Sequence, residues 1–411
     1  MSQRLITYED RHWRTLRPLT DTLPVPALTF GASDLARRWI ARAGVPLLAI
    51  EARSSVMPSW YHAPVRDTRT IGADDEAIVV NAAAMPGPWF EKALAGHSPA
   101  LFLGDGRIAG ARAPLAMLRS ALGRGEDFEA VLLGLALPAL VVDATFLNYP
   151  WQLVEWNAKA IEDDLAAMKP ERLGHLHPLA CLEAPDRIGI AEGADIGAFA
   201  VLDAREGPIL VGKGARIAPH TCVTGPCVIG AHTQLLGGFI QSTTFGPECR
   251  IAGEVEASVW QGYGNKRHHG FVGHSVFGEW VNLGALTTTS DLKNNYGHVR
   301  VQVDGVEVDS RSGKVGSIVG AHVKTGIGTL LTTGAVVGVG ANLFGGGQFA
   351  PKSVPSFGWW DGATMATHAI DKFVATARIV CGRRGRIFTP EDEALCRGLF
   401  QSTMAERRPK T

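Results

Sequence analysis

The sequence predicts an α/β domain followed by a parallel β-solenoid built from hexapeptide repeats. Three observations predict it. Apolar or β-branched residues recur every six positions in the second half, through Val211, Ile217, Val223, Ile229 and Leu235, and again through Val319, Thr325, Leu331, Val337 and Leu343. A small residue follows many of them, as at Gly212, Ala218, Gly230, Gly320, Gly326 and Gly338. The chain before about residue 180 lacks this period and alternates strand-like with helix-like runs. A step of six matches neither the strand period of two nor the helical period of about 3.6. It matches a prism in which each short strand sends one side chain into a stacked core.

In the front part, Ser33-Asp34 is placed to cap a helix over Leu35 to Ala43. Val45 to Ile50 and Ala77 to Val80 read as strands, with Pro46 near the start of the first, where a strand tolerates it. The longest apolar run, Val131 to Val142, has 12 residues including Pro138. It is too short to span a bilayer and reads as a buried strand. Tyr149 to Met168 reads as one helix, ended by Lys169-Pro170, with Leu153, Trp156, Ile161 and Leu165 on one face. A His- and Pro-rich linker runs on to about Pro185. These elements divide the chain into 1–180, an α/β domain, 181–347, the solenoid, and 348–411, an extension with helices over Asp371 to Ile379 and Pro390 to Gln401.

The solenoid should hold about eight coils of roughly 18 residues, fewer once loops are removed. Two stretches break its period. Residues 238–270 look irregular and polar, and residues 286–316 read as a long excursion. Inserted loops of solenoids often build the site.

Composition excludes some functions. The 411 residues carry 40 basic and 40 acidic side chains, so no global field points to nucleic acid or membrane. Hydrophobic residues make up 46%, ample for packed cores. The cysteines at 181, 222, 227, 249, 381 and 396 form no CxxC pair. They read as free thiols of a reducing, cytoplasmic compartment. The start, MSQRLITYEDRHWR, has no apolar segment of a secretory signal.

The stretch AGEVEASVWQGYGNKRHHGFVGHSVFGEWVNLGALTTTSDLKNNYG (252–297) resembles the acetyltransferase half of the bifunctional GlmU family, in its divergent bacterial branch. VVGVGANLFGGGQFAPKSVPSFGWW (336–360) extends the resemblance. LRPLTDTLPVPALTFG (16–31) and YPWQLVEWNAKAIEDDL (149–165) resemble the nucleotidyltransferase-like domain of that branch. The resemblance implies a nucleotidyltransferase-like front domain and a left-handed parallel β-helix behind it. It also implies a homotrimer with sites between subunits, acetyl-CoA as donor and glucosamine 1-phosphate as acceptor. UTP and Mg²⁺ would serve an active front domain.

An amine that attacks a thioester must lose a proton, and histidine suits that task. In Asn265-Lys266-Arg267-His268-His269-Gly270-Phe271, the resemblance implies His268 as the base, with His269 the alternative if the register slips by one. Glu254 is the candidate to fix the tautomer. The resemblance places Asn282, Asn295 and Tyr296 on the amino sugar, although Asn-rich turns form without any ligand. Arg250, Lys266 and Arg267 are candidates for the sugar phosphate, and the backbone of Ala285 for the pantetheine channel and oxyanion. His268, His269, His274 and His298 could instead hold a metal, but no spacing matches a zinc motif.

The chain also departs from the family. Ala257 stands where a phosphate-binding lysine is expected, Phe271 replaces a tyrosine, and Ile327 replaces a serine. In the front domain, Arg17 is the nucleotide-binding candidate within Leu16-Arg17-Pro18-Leu19-Thr20, but no Gly-rich turn precedes it. Leu23 and Thr29 replace arginines, and Asn81-Ala82-Ala83 replaces Asn-Gly-Arg. Leu103-Gly104-Asp105 resembles a metal-binding Gly-Asp but precedes Gly106-Arg107 as a hairpin turn would. Weak, altered or absent uridylyl transfer is expected. The competing expectations are a different acceptor or nucleotide on the same fold, and a non-catalytic trimeric scaffold that binds a sugar nucleotide.

Overall fold

The computed structural model describes residues 2–66, 72, 75–166 and 170–407. The chain forms two compact units. The first comprises Met1–Leu16, Leu23–Leu28 and Ser33–Asn148; the second comprises Arg17–Thr22, Thr29–Ala32 and Tyr149–Thr411.

The first unit is built on a six-stranded mixed sheet. Its spatial order is Leu47–Glu51, Gln3–Tyr8, Glu76–Asn81, Arg107–Pro114, Ala100–Gly104 and Ala139–Val141. The first three strands are mutually parallel, and Arg107–Pro114 runs antiparallel to both of its neighbours. Helix α1 (Leu35–Ala43) starts where the sequence predicts. The Asp34 carboxylate accepts the Arg37 N–H at 2.7 Å, and Gly44 closes the helix at φ 64°. That is a side-chain N-cap and a left-handed glycine C-cap. Trp39 of α1 meets Trp89 and Phe90 of α2 (Pro88–Ala95) edge-on, at 5.8 and 4.8 Å. This aromatic cluster seals one side of the sheet. Asp105 and Gly106, at φ 49° and 73°, form the expected hairpin tip.

The run Val131 to Val142 is not one buried strand. Helix α3 (Leu115–Leu118) precedes it, and the run's start belongs to α4 (Phe128–Gly134), which buries Phe128 and Leu132. Only Ala139–Val141 is a strand, at the sheet edge, with Val141 90% exposed. Twelve apolar residues therefore served a helix, a turn and an edge, which hydropathy alone does not separate.

The second unit is a three-faced parallel solenoid. One face stacks nine strands, from Ile188–Ile190 through Val276–Phe277 to Ser353–Val354. The six-residue positions point inward as expected: Val211, Ile217, Val223, Ile229, Leu235, Val319, Leu331, Val337 and Leu343 are all buried in one continuous core. Ladder pairing begins at His175–Leu176 and Cys181–Glu183, inside the expected linker, and runs on through Gly358–Trp360. Residues 238–270 are not irregular. Gln234–Gln241 and Arg250–Glu256 pair in parallel as long strands that run through a corner, with Gly237, Gly238 and Gly253 at positive φ. Without that corner the coil shortens, from the 18 residues between the paired Ile217 and Leu235 to the 15 between the paired Phe245 and Trp260, and the six-residue step fails there.

The excursion expected at 286–316 is an insertion that starts later than residue 286, because Thr288–Thr289 still pairs with Leu330–Leu331 in the solenoid. It carries the antiparallel hairpin Arg300–Val303 and Val306–Asp309. Val299, Val301, Val303 and Val315 pack with Trp151 of α5 (Pro150–Glu155). The helix expected over Tyr149 to Met168 is two helices, broken at Trp156: α5 and α6 (Asn157–Leu165). Met168 and Lys169 lie outside the described residues. Near the chain's end, α7 (Ile370–Gly382) and α8 (Pro390–Ser402) pack on a column of left-handed corners, where Tyr263 stacks on Trp280 at 4.1 Å.

Candidate functional site

One corner of the solenoid collects the His-rich motif. Strand Asn265–Lys266 ends there, His268-His269-Gly270 turns, and Phe271–Gly273 starts the next face. The turn is pinned to the coil above it, since Leu286 N–H donates to His269 O at 2.9 Å. Gly270, at φ 133°, approaches so closely that a Cβ would lie 2.2 Å from Thr287 O. No side chain fits, which explains a glycine at this position. His268 and His269 are exposed, and Ala285 stands on the same corner one coil on. Ala285 O accepts Gly328 N–H at 2.8 Å, while no hydrogen bond among the described residues engages the Ala285 N–H.

The other expected residues divide. Asn282 lies one coil beyond Asn265, and Asn265 Nδ2 donates to its Oδ1 at 2.7 Å. This pair belongs to an outward polar row continued by Lys324 and Asn342. Burial lowers the Lys324 ammonium to about 8. Asn295 and Tyr296 sit on the excursion. Asn295 Oδ1 accepts Gly297 N–H at 3.1 Å, and Tyr296 is 77% exposed at φ 57°. Glu254 pairs with Phe271 across the ladder and is exposed; among the described residues it shares no hydrogen bond with His268. The tautomer role expected of Glu254 therefore has no contact behind it here.

The expected phosphate cations are otherwise engaged. Arg250 donates to His232 O and Cys249 O at 2.9 and 3.0 Å and pairs with Glu248 at 3.0 Å. Lys266 is 1% exposed and turned inward, donating to Ala252 O at 2.7 Å and His268 O at 3.0 Å. Burial lowers its ammonium to about 8, against the opposing charge of Glu254. Arg267 is exposed.

A histidine–carboxylate pair that sequence reasoning missed lies one strand further on. His274 Nδ1 meets Asp291 Oδ2 at 2.7 Å. Burial pushes Asp291 up, but the hydrogen bond and charge of His274 outweigh it and hold the carboxyl below its usual range. No sequence spacing announces this pair, because one solenoid rise brings residues 17 apart together.

In the first unit, the carboxyl ends of three parallel strands converge, the place where open parallel sheets bind ligands. Here they hold paired charges. Glu9 meets Arg53 Nε at 2.6 Å and accepts Val25 N–H at 2.7 Å. Asp10 Oδ2 accepts from Arg107 Nη2 at 2.7 Å and Asn81 Nδ2 at 2.8 Å. Arg53 lies over the Trp13 ring at 3.6 Å. Burial, with Asp10 nearby, raises the Tyr8 hydroxyl well above its ordinary value. The sequence signal for this cluster was the acidic pair directly after a buried strand. Both carboxylates are taken up by arginines, so this cluster does not fit Mg²⁺. Among the described residues no group of three or more His, Cys, Asp or Glu is arranged to hold a metal.

Arg17 belongs to the second unit. Its guanidinium donates to Asp21 at 2.7 Å and to Asp304 and Glu406 at 3.0 Å each. Three carboxylates therefore occupy the group expected to meet a nucleotide. Leu23 is buried in the first unit's core.

Residues 5–172 match a family profile described as sugar nucleotidyl transferase. The front of the chain is thus similar to sugar nucleotidyltransferase domains. The chain is 28% identical over 264 residues to the bifunctional protein GlmU of Azoarcus sp. (strain BH72), covering 56% of each. It is 36% identical over 93 residues to the bifunctional sugar-1-phosphate nucleotidylyltransferase/acetyltransferase of Sulfurisphaera tokodaii, covering 23% of each. It is 31% identical over 170 residues to GlmU of Micrococcus luteus, covering 41% of this chain and 30% of that one. The chain thus spans about half the length, or less, of the curated relatives it matches. With this profile match in front and a hexapeptide solenoid behind, the chain is similar to the GlmU proteins in its order of parts. No helix among the described residues is long and apolar enough to cross a membrane.

Proposed function

We propose that the solenoid transfers acetyl from acetyl-CoA to the amine of glucosamine 1-phosphate or a related amino-sugar phosphate. The supporting observation is the corner that sets exposed His268 and His269 beside the unengaged Ala285 N–H on the next coil. In this reading the amine nitrogen attacks the thioester carbonyl and His268 takes its proton. The Ala285 N–H faces the tetrahedral oxyanion. The carbon–sulfur bond then breaks, and the thiolate of CoA leaves with a proton. Asn282, Asn295 and Tyr296 would contact the sugar.

The working form in this proposal is a homotrimer. Leu286, Ile327, Phe344 and Phe349 leave apolar side chains exposed along this side of the solenoid, Ile327 by 72% and Phe349 by 64%. Further copies of the chain would cover such a stripe, and a closed ring satisfies three identical heterologous faces.

The first unit supports a second part of the proposal: it binds a sugar nucleotide with slow or no uridylyl transfer. Phosphoryl chemistry relies on free cations and a metal around the phosphates. In this cluster Arg53 and Arg107 are neutralised by Glu9 and Asp10. The experiment compares CoA thiol release, using glucosamine 1-phosphate, with pyrophosphate release from UTP, Mg²⁺ and N-acetylglucosamine 1-phosphate. Acetyl transfer should be the faster. Equal turnover would restore a fully bifunctional enzyme, and pyrophosphate release alone would refute the acyl-transfer reading.

A further inference from the structure

Lys266 ranks among the largest fully buried side chains of the chain, and none of its hydrogen bonds goes to an acid. Its Nζ donates to Ala252 O on the coil below, at 2.7 Å, and to His268 O within its own turn, at 3.0 Å. A buried ammonium is costly unless hydrogen bonds satisfy it, so a lysine kept here needs a reason. The space around it is shaped to match. Gly253, at φ 84°, has no Cβ; one would lie 2.9 Å from Nζ and 3.0 Å from the His269 Cα. Any side chain at 253 would displace the ammonium, the histidine turn, or both. The turn is fixed from the other side by the bond from Leu286 N–H to His269 O. The histidine corner is thus held between two adjacent coils, and Lys266 supplies the lower anchor.

We infer that Lys266 is a positioning residue of the acyl-transfer site: its ammonium anchors the carbonyl of His268, and Gly253 keeps the space open for it. This rests on the acyl-transfer reading. It opposes a phosphate-binding role for Lys266, because the Nζ faces carbonyls and the side chain is closed to solvent. Misplacing a catalytic group by about 1 Å lowers the rate on the order of 10²-fold while leaving binding groups in place.

The test uses the full-length protein, two acceptors and three variants. Lys266→Met removes the donors and keeps the length of the side chain. Lys266→Gln keeps an N–H donor without charge. Gly253→Ala leaves Lys266 in the sequence and crowds it. Thiol release from acetyl-CoA is followed with glucosamine 1-phosphate and with glucosamine, and circular dichroism checks folding. The inference expects Lys266→Met to lower kcat on the order of 10²-fold with both acceptors, with KM changed by less than about 3-fold. Lys266→Gln should recover part of that loss. If Lys266→Met does not fold, Gly253→Ala gives the reading, with kcat reduced for both acceptors alike. A rise in KM confined to the phosphorylated acceptor, with kcat kept, would overturn the inference and restore Lys266 as a phosphate ligand. Unchanged kinetics in folded Lys266→Met and Gly253→Ala would overturn it too. A wild type that releases no thiol with either acceptor would overturn the acyl-transfer reading itself.

Discussion

His274 Nδ1 lies 2.7 Å from Asp291 Oδ2, and this contact fastens a solenoid corner to the start of the long excursion. Residue 274 is a left-handed corner at φ 44°, and Gly316 N–H, at the far end of the excursion, donates to its carbonyl at 2.8 Å. One residue therefore holds both ends of the insertion that carries Asn295 and Tyr296.

Asp291→Ala should loosen that insertion and cost about 1.5–3 kcal/mol, the range for a hydrogen bond to a charged group. The sign with pH follows from a carboxyl held below its ordinary value. Its contribution is complete above the unfolded carboxylate range and is lost as pH falls through the lowered folded value. Denaturant unfolding should show wild type and variant far apart at pH 7 and converging below about pH 4. A gap that persists in acid would contradict this.

Arg17→Met should destabilise the second unit by about 1–3 kcal/mol, because it removes charge-assisted bonds to three carboxylates, of which Asp21 is buried. Affinity for UTP, measured by calorimetry, should not change. A loss of UTP binding without a loss of stability would return Arg17 to the nucleotide.

Glu279→Gln tests the polar cluster under the C-terminal helices. Burial raises the Glu279 carboxyl to about 8, Asp392 adding to the effect and Arg386 opposing it. A raised carboxyl binds its proton more tightly when folded, so the wild type loses stability as pH climbs from about 4.5 to 8. The glutamine variant lacks this loss. It should match the wild type near pH 4.5 and exceed it by at least about 1 kcal/mol at pH 8.

Phe373→Ala should cost about 3–5 kcal/mol. The ring fills the space over Gly340, whose Cβ would lie 2.8 Å from it, and meets Phe357 edge-on at 5.1 Å. Chemical denaturation should show this loss, along with earlier proteolysis of α7 and α8.

The solenoid was legible because its core repeats: each side chain from Val211 to Leu235 at the six-residue step is buried. Helix α1 was legible because Asp34 and Gly44 are local signals. The sequence was silent wherever a contact depends on the rise between coils or on pairing across a sheet. Lys266 read as a candidate for the sugar phosphate, yet its partners at 252 and 268 are set by the neighbouring coil and its own turn. Glu9 and Asp10 lie far in sequence from Arg53 and Arg107, and only the folded sheet brings these charges together. Val131 to Val142 misled because a helix and an edge strand share one apolar run.

The most direct test of the acyl-transfer account is the rate of CoA thiol release from acetyl-CoA with glucosamine 1-phosphate, in wild type, His268→Ala and His269→Ala. The account predicts turnover by the wild type, a loss on the order of 10²–10⁴-fold in His268→Ala with folding intact, and a much smaller loss in His269→Ala. A wild type without thiol release, or a His268→Ala variant as fast as wild type, would contradict it.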